Sequence, residues 1–308
     1  MQTKQPPNFP RAIFAAMQLM DGKLAAGAIK QRLQAQVQAR KDQGLRLPHL
    51  AAVLVGTDGA SETYVANKVK TCAELGFEST LIRLEADISE ATLLAQIAAL
   101  NANDAIDGIL VQLPLPPHIA DDKVINAIDP AKDVDGFHPV SVGRLVQGLP
   151  SFVPATPYGI MLMLEHFGIA TAGKHAVVIG RSNIVGRPMS ILLSSQQAYG
   201  NCTVTVCHSK TKDLAGFTRQ ADIIVAALGR PGFLTGDMVK EGAVVIDVGI
   251  TRVPDATKKK GFAIKGDVDF DSVAPKCSWI TPVPGGVGLM TIGALMMNTL
   301  EACQRRTG

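Results

Sequence analysis

The fold is decided by one stretch of sequence, Ala176-Val177-Val178-Ile179-Gly180-Arg181-Ser182-Asn183-Ile184-Val185-Gly186. Its four apolar residues predict a buried strand, and the glycine-bounded turn that follows leads into a helix. Such a turn directs backbone N–H groups and the positive end of the helix dipole at a pyrophosphate. The middle glycine of the G-x-G-x-x-G pattern is absent, because Ser182 stands in its place. A purely structural turn therefore remains an alternative.

The second half of the chain surrounds this turn with alternating strand-like and helix-like segments. Beyond residues 176–179, apolar runs that predict three more strands lie at 203–207, 223–227 and 244–248. Thr156 and Pro157 fit the N-cap and first position of a helix that ends near Gly168. The alternation predicts a doubly wound, Rossmann-like nucleotide-binding domain.

The first half alternates in the same way. Ile29, Leu33 and Val37 recur at helical spacing before Gly44. Further strands and helices are predicted in turn at 50–55, 61–75, 81–84, 89–100 and 108–113. Helices between successive strands are typical of parallel sheets, so the predicted fold class is α/β.

The chain is long enough for two domains, since it has 308 residues and a domain has about 150. Residues 129–157 are rich in Gly, Pro and Asp, which indicates a boundary. We expect an N-terminal α/β domain at 17–155 and a Rossmann-like domain at 156–286. The apolar periodic segment at the end predicts a C-terminal helix within 287–308 that packs back on the first domain.

Composition excludes several classes of protein. A net charge of +3 and scattered basic residues do not suit a nucleic-acid binder. The one tight run, Lys258 to Lys260, is interpreted as a solvated loop between two strands. No apolar segment approaches the ~20 residues that span a bilayer, so we expect no membrane association.

The cysteines and the N-terminus favour a cytoplasmic protein. The five cysteines are odd in number and none pair at metal-ligand spacing, so neither a disulfide framework nor a metal site is expected. Residues 1–16 are polar and proline-rich, and the apolar stretch at 13–20 is interrupted by Gln18 and too short for a signal segment. We expect residues 1–16 to form a flexible extension.

The end of the strand at 203–207 indicates which dinucleotide would bind. It runs into His208-Ser209-Lys210, where an NAD enzyme carries an acid for the ribose 2′-hydroxyl. Arg181 and Ser209 suit a 2′-phosphate instead, which favours NADP over NAD. His208 taken alone is predicted to be a turn residue. The backbone near Ile250 lies at the end of a later strand, where the nicotinamide would sit.

Candidate chemical groups lie in three separate segments of the first half. Tyr64 and Lys68 are four residues apart, so they share one face of the second helix, although a surface helix has the same pattern. Gln112 ends a buried strand before Pro114, which carries its side chain to the carboxyl edge of the sheet. Asp133 and Asp135 precede Gly136 in a loop, where the simplest interpretation is that they form the turn.

These segments together resemble the FolD dehydrogenase/cyclohydrolase family, over roughly residues 19–300. The matching motifs are Y-V-A-N-K, V-Q-L-P-L-P, K-D-V-D-G-F, G-R-S-N-I-V-G-R-P, D-V-G-I and P-G-G-V-G. Leu289 departs from the family, which usually has proline there. The resemblance implies two domains around a cleft, a folate substrate, NADP as cofactor and a homodimer. It implies oxidation of 5,10-methylenetetrahydrofolate to 5,10-methenyltetrahydrofolate, then hydrolysis of that product to 10-formyltetrahydrofolate.

The resemblance also assigns roles to residues. Lys68 would be the catalytic lysine that activates water or shuttles protons, with Gln112 orienting it, Tyr64 stacking on the pterin side and Asp135 pairing with the pterin ring. A lysine pKa of ~10.4 would be depressed by burial beside a cationic substrate. Further residues expected on the folate side are Ser61, Leu113, Pro284, Gly285 and Gly288. Those expected at the cofactor are Gly180, Arg181, Ser182, Ile184, Val185, Gly186, His208, Ser209, Ile250 and Thr291.

Two alternatives share most of these features. One is a dehydrogenase without the hydrolase step, and the other is a catalytically silent NADP-binding sensor. Tyr64, Lys68 and Gln112 together argue against both, because neither protein needs an amine and an amide at the cleft.

Overall fold

The protein is described by a computed structural model over residues 17–57, 59–258 and 261–307. Two parallel sheets covered by helices confirm the predicted α/β class. The expected N-terminal extension at 1–16 and two residues of the lysine run, Lys259 and Lys260, lie outside the described residues. Lys258 is exposed in a loop between two strands.

Strands and helices alternate along most of the chain. The strands are β1 (Gln18–Leu19), β2 (His49–Val55), β3 (Glu78–Leu84), β4 (Gly108–Val111), β5 (His175–Ile179), β6 (Thr203–Cys207), β7 (Ile223–Ala226), β8 (Ala243–Asp247), β9 (Thr251–Pro254), β10 (Phe262–Lys265) and β11 (Cys277–Ile280). The helices are α1 (Gly22–Asp42), α2 (Gly59–Leu75), α3 (Glu90–Ala102), α4 (Asp121–Ala127), α5 (Pro139–Val146), α6 (Ala155–His166), α7 (Gly186–Ser194), α8 (Leu214–Thr218), α9 (Phe270–Val273) and α10 (Val287–Thr307). Two 3-10 turns lie at Gly236–Met238 and Ala274–Lys276. None of the helices in the described ranges is long and apolar enough to cross a membrane.

The first sheet has the order β3-β2-β4, with all strands parallel. β4 ends at Val111, so the predicted strand 108–113 was two residues too long. Pro114 has no backbone N–H and turns the chain away. The Gln112 N–H still donates to the Val53 carbonyl oxygen at 2.9 Å. Gln112 is therefore fixed at the carboxyl edge of the sheet, one residue beyond the strand.

The second sheet has six parallel strands in the order β1-β11-β8-β7-β5-β6. β6 lies on one side of β5 and β7 on the other, which places a crevice beyond the carboxyl ends of these strands. β5, β6, β7 and β8 were all predicted. β1 was not, and although it precedes α1 it pairs with β11, so residues 18–19 join the sheet of the second half.

The C-terminal helix α10 packs against α1 and α6. Gly159 of α6 allows close approach, because a Cβ there would lie 2.8 Å from the Met290 Cβ. Asn298 is buried in α10, and its Nδ2 donates to the carbonyl oxygens of Val134 at 2.8 Å and Val153 at 2.9 Å. The helix thereby fixes the loop that carries the Asp133 and Asp135 pair.

The start of helix α1 follows from its local sequence, whereas the start of helix α6 does not. Asp21 caps α1 as its Oδ1 accepts the Lys23 N–H at 2.7 Å, which suits an N-cap aspartate. The prediction that Thr156 caps α6 was wrong, because the helix begins at Ala155 and its N-cap residue is Pro154. Tyr158 N–H donates to the Pro154 carbonyl oxygen, so Thr156 is already inside the first turn.

Candidate active site

A cleft of about 670 Å³ opens between the two halves of the molecule. Its walls come from α2, the end of β8, the hairpin β9–β10 and the turn before α10. The lining residues are Gly59, Thr63, Tyr64, Asn67, 247–250, Arg252, Phe262, Ile264, 282–289 and Ile292. Tyr64, Ile250 and Leu289 are 37%, 46% and 43% exposed. Large apolar side chains left open around one concavity are typical of a surface that a ligand covers.

Lys68 lies one helical turn after Tyr64 and is only 8% exposed. Its Nζ donates to the Gln112 Oε1 at 3.1 Å. The Gln112 Nε2 donates in turn to the Leu113 carbonyl oxygen at 2.7 Å, so its oxygen is directed at the amine. Burial lowers the pKa of Lys68, and the nearby Asp135 carboxylate partly opposes this. The arrangement holds a lysine that gives up its proton more readily than a solvated one.

Asp135 reaches the same place from the loop after β4. Burial raises the pKa of its carboxyl to about 6, Lys68 lowers it and Asp133 raises it further. Gly136 has φ +71° and packs on the chain before α6, where a Cβ would lie 2.7 Å from the Pro154 nitrogen. Only glycine fits both constraints, so the bend that presents Asp135 depends on it.

Asp133 has the turn-forming role that the sequence left open. Its carboxylate accepts hydrogen bonds from Phe137 N at 3.2 Å, His138 N at 2.9 Å and Ser141 Oγ at 2.7 Å. Burial raises its pKa to about 6 despite these bonds. Asp133 therefore fixes the loop 133–138, while Asp135 remains available to a ligand.

The predicted dinucleotide turn lies at the carboxyl end of β5. Gly180 has φ +130°, and a Cβ on Gly186 would lie 2.3 Å from the Gly180 carbonyl oxygen, so both glycines are required. The Ser182 Oγ accepts the N–H groups of Val185 at 3.2 Å and Gly186 at 3.3 Å. Two backbone N–H groups at the start of α7 are therefore bonded within the turn. In the usual dinucleotide turn these N–H groups would all face the pyrophosphate. Ile184 is 46% exposed beside them.

The ends of β5 and β6 meet at this turn. Ile179 pairs with Cys207, and the Gly180 N–H donates to the Cys207 carbonyl oxygen at 2.8 Å. Arg181 and Ser209 follow closely, and both are exposed. Within the described ranges no carboxylate forms an ion pair with Arg181. Two cofactor candidates therefore follow the ends of neighbouring strands, and an anion would be a suitable partner for them.

His208 is held as a turn residue. Its N–H donates to the Thr211 Oγ1 at 2.8 Å, and its Nδ1 accepts the Lys210 N–H at 3.1 Å. A cofactor contact of this imidazole stays a prediction.

A buried carboxylate that sequence reasoning did not select organises the end of β8. Asp247 accepts the N–H groups of Gly249 at 2.9 Å, Asp267 at 2.9 Å and Val268 at 3.0 Å. Burial raises its pKa to about 6. The bonds fix the turn that exposes Ile250 to the cleft. The sequence signals for this network were the D-V-G-I motif, which begins at Asp247, and the alternating acids of D-V-D at 267–269.

Most of the folate-side turn lies where it was predicted. Pro284, Gly285 and Gly288 line the cleft, and the Gly285 carbonyl oxygen accepts the Gly22 N–H at 2.9 Å. Lys68, Gln112 and Asp135 are not among the lining residues, and neither are three other candidates, namely Ser61, Leu113 and Thr291. Ser61 is buried at the start of α2, and the Thr291 hydroxyl lies 3.3 Å from that of Thr156. Ligand contacts of these three stay predictions.

Comparisons with known proteins agree with this arrangement. The family model for the tetrahydrofolate dehydrogenase/cyclohydrolase catalytic domain matches residues 20–135, and the model for the NAD(P)-binding domain of that family matches residues 154–307. A relative from Cytophaga hutchinsonii, named bifunctional protein FolD, is 60% identical over 93% of this chain and 99% of its own length.

Solved structures give the same result. The bifunctional enzyme FolD, methylenetetrahydrofolate dehydrogenase/cyclohydrolase, from Campylobacter jejuni superposes with a TM-score of 0.88 at 49% identity, over 94% of this chain and 100% of that one. The Trypanosoma brucei methylenetetrahydrofolate dehydrogenase-cyclohydrolase, solved with NADP and an inhibitor, superposes with a TM-score of 0.89 at 39% identity, over 94% of this chain and 98% of that one. Family models matching both halves, and identity of this extent, show that the chain belongs to the tetrahydrofolate dehydrogenase/cyclohydrolase family.

Proposed function

We propose that the protein oxidises 5,10-methylenetetrahydrofolate to 5,10-methenyltetrahydrofolate with NADP and hydrolyses the product to 10-formyltetrahydrofolate. The observation that carries this proposal is the buried Lys68 amine, held 3.1 Å from Gln112 and one helical turn after Tyr64, which lines the cleft. The second half of the molecule presents a dinucleotide turn at its own strand ends. The names of relatives 60% identical to the chain support both activities.

The residues around Gly180 fit NADP. The glycines allow the tight turn, Arg181 and Ser209 follow the ends of the neighbouring strands β5 and β6, and the residues directly after β6 at 208–210 include no acid where NAD would require one. Ile184 and Ile250 offer apolar surface to the rings. Bound NADP supplies the hydride acceptor, and the chain's contribution to that step is to orient the folate and exclude water.

Asp135 binds the pterin ring. The ring presents its 2-amino group and an adjacent N–H side by side, and one carboxylate accepts both in a bidentate pair. With a pKa of about 6, Asp135 is ionised at neutral pH and available for this pairing. Tyr64 lines the cleft with its ring open to stacking on the substrate.

Lys68 serves the hydrolysis. A water oxygen bonds to the methenyl carbon and passes a proton to the neutral Lys68 amine, whose pKa is lowered by burial. The bond from that carbon to N5 then breaks, N5 takes the proton from Lys68, and the hydroxyl proton leaves to solvent. One proton is released overall, and 10-formyltetrahydrofolate results. Gln112 holds one N–H of the amine throughout, so that the lone pair is directed at the water.

A spectrophotometric assay with methylenetetrahydrofolate and NADP separates the proposal from its alternatives. NADPH absorbance should rise while the methenyl absorbance appears only transiently. With a dehydrogenase alone, methenyltetrahydrofolate would accumulate, and it would decay only at the rate of uncatalysed hydrolysis. A silent NADP-binding sensor would bind NADP in a titration and produce neither species.

A homodimer and a cytoplasmic location belong to the same proposal. β6 is an edge strand of the six-stranded sheet, and its Val206 is 38% exposed. An open edge of this kind is suited to pairing with a second copy. Sedimentation should give a dimer, and Val206→Asp should shift it toward monomer. The five cysteines are buried and unpaired, which suits a reducing compartment.

The boundaries of the two halves remain part of the proposal. We place the folate domain at 17–155, with the helix within 287–308 packed against it, and the NADP domain at 156–286. The packing of α10 on α1 and the Asn298 bonds to the loop 133–138 and the chain before α6 support the place of that helix.

A further inference from the structure

The hairpin β9–β10 forms a wall of the cleft that has no assigned role. Arg252 lies directly opposite Ile264 in its antiparallel register, and Phe262 is two residues before Ile264. Side chains alternate between faces along a strand, so these three share one face. All three line the cleft, whereas Ala263 and Lys265 of the other face do not.

Arg252 brings an uncompensated positive charge into this cleft. Its guanidinium carbon lies 4.7 Å from the centre of the Phe262 ring, which fixes the group by a cation–π contact. No carboxylate in the described part of the chain forms an ion pair with it. Among the described residues that line the cleft, Asp247 is the only acidic one, and its carboxylate accepts three backbone N–H groups. The planar fork of the guanidinium therefore remains available to a carboxylate or phosphate of a ligand.

The position of Arg252 in the cleft indicates whether it binds a carboxylate or a phosphate. The turn at Gly180 that faces a pyrophosphate follows β5, which is two strands from β8 and hence about 10 Å away across the sheet. None of residues 180–186 is among those that line the cleft. Tyr64 does line it, and lies one helical turn from Lys68. A substrate that reaches Lys68 and passes Tyr64 thus extends toward the hairpin.

We infer that Arg252, held by Phe262, is a specificity-determining residue that binds the glutamate carboxylates of the reduced folate. The inference rests on the proposed function. A reduced folate is long, with its pterin ring at one end and the glutamate carboxylates at the other. With the pterin at Lys68 and Asp135, the carboxylates lie in the outer cleft, where Arg252 is the one cation among the lining residues that the structure describes.

The test pairs a variant with a substrate that lacks the anion. Arg252→Gln and the wild type are compared on methylenetetrahydrofolate and on methylenetetrahydropteroate, which has no glutamate. For a partly exposed charge pair we expect about a fivefold rise in KM for the folate in the variant. The pteroate KM should be the same in both proteins. The change should fall in KM rather than kcat, because a remote contact binds ground state and transition state alike.

Matched variants and direct binding complete the design. Lys265→Gln removes a charge from the other face of the same hairpin and should leave the folate KM unchanged, while Phe262→Leu should give part of the Arg252→Gln effect. Equal KM changes for folate and pteroate, or a change in the KM for NADP instead, would overturn the inference. Calorimetric titration with folic and pteroic acid tests the contact between Arg252 and the glutamate carboxylates without turnover. Absence of turnover in the wild type would count against the proposed function alone.

Discussion

Replacing Lys68 with methionine removes the amine while keeping the length of the side chain. The proposed hydrolysis gives this amine two roles, since it accepts a proton from water and returns it to N5, and a positioned acid–base group contributes about 10²–10⁴-fold. We therefore expect cyclohydrolase turnover to fall by about that factor, or ~3–5 kcal/mol in the activation barrier. Dehydrogenase activity should fall far less, because Lys68 donates or accepts no hydride.

The effect on stability should be much smaller. Lys68 is 8% exposed, and its loss leaves the Gln112 Oε1 without a donor, which costs about 1–3 kcal/mol. The substitution also removes the cost of burying an amine, which acts in the opposite direction. We expect the Tm to change by only a few degrees, so activity loss would not reflect unfolding.

The assay follows methenyltetrahydrofolate absorbance after mixing with enzyme, alongside NADPH formation in the forward direction. Lys70→Met is the matched control, since Lys70 lies on the same helix with its side chain 74% exposed. If Lys68→Met kept more than about a tenth of the wild-type hydrolysis, the assignment of a general base would be refuted.

Three further predictions concern the loop of Asp135 and the cofactor turn. In Asp133→Asn a single side-chain oxygen is left to accept from three donors. The free energy of unfolding, measured by chemical denaturation, should therefore fall by about 1–3 kcal/mol, and the folate KM should rise. An unchanged folate KM would contradict the role of Asp133 in positioning the loop. Arg181→Ala should raise the KM for NADP about tenfold and leave the KM for NAD nearly unchanged. Equal changes in the two KM values would mean that the 2′-phosphate binds elsewhere. Because the pKa of Asp135 is about 6, its carboxylate is protonated as pH falls through that value, and the folate KM should rise there. Asp135→Asn should weaken this acid-side dependence, and the part that remains should come from Asp133, whose pKa is also about 6.

The regular parts of the fold were predictable because their signals are local. Buried strands such as β5 and the 3.6-residue spacing of Ile29, Leu33 and Val37 identify elements without tertiary information. β1 was missed because two residues carry no periodicity, and its pairing with β11 joins residues about 260 positions apart in sequence. The cap of α6 was misassigned because Thr156 has the right chemistry, yet the helix already begins at Ala155.

The candidate site was predictable only where one segment carries the chemistry. Lys68 and Gln112 lie 44 positions apart, and their 3.1 Å contact follows from the pairing of β2 with β4 rather than from any local pattern. The Asp247 network and the open face of Arg252 depend on the loop after β8, whose course no periodicity specifies. The family resemblance supplied roles for residues whose own segments left alternatives open.

The central claim is that the Lys68 amine meets the one-carbon unit of a folate while the second half presents the nicotinamide to the same carbon. A crystal structure of the complex with NADP and a non-reacting folate analogue tests it most directly. In that complex we expect the Lys68 Nζ within about 3–4 Å of the bridging carbon or of a single water beside it. An amine well beyond that reach, or a cleft that admits only one of the two ligands, would contradict it.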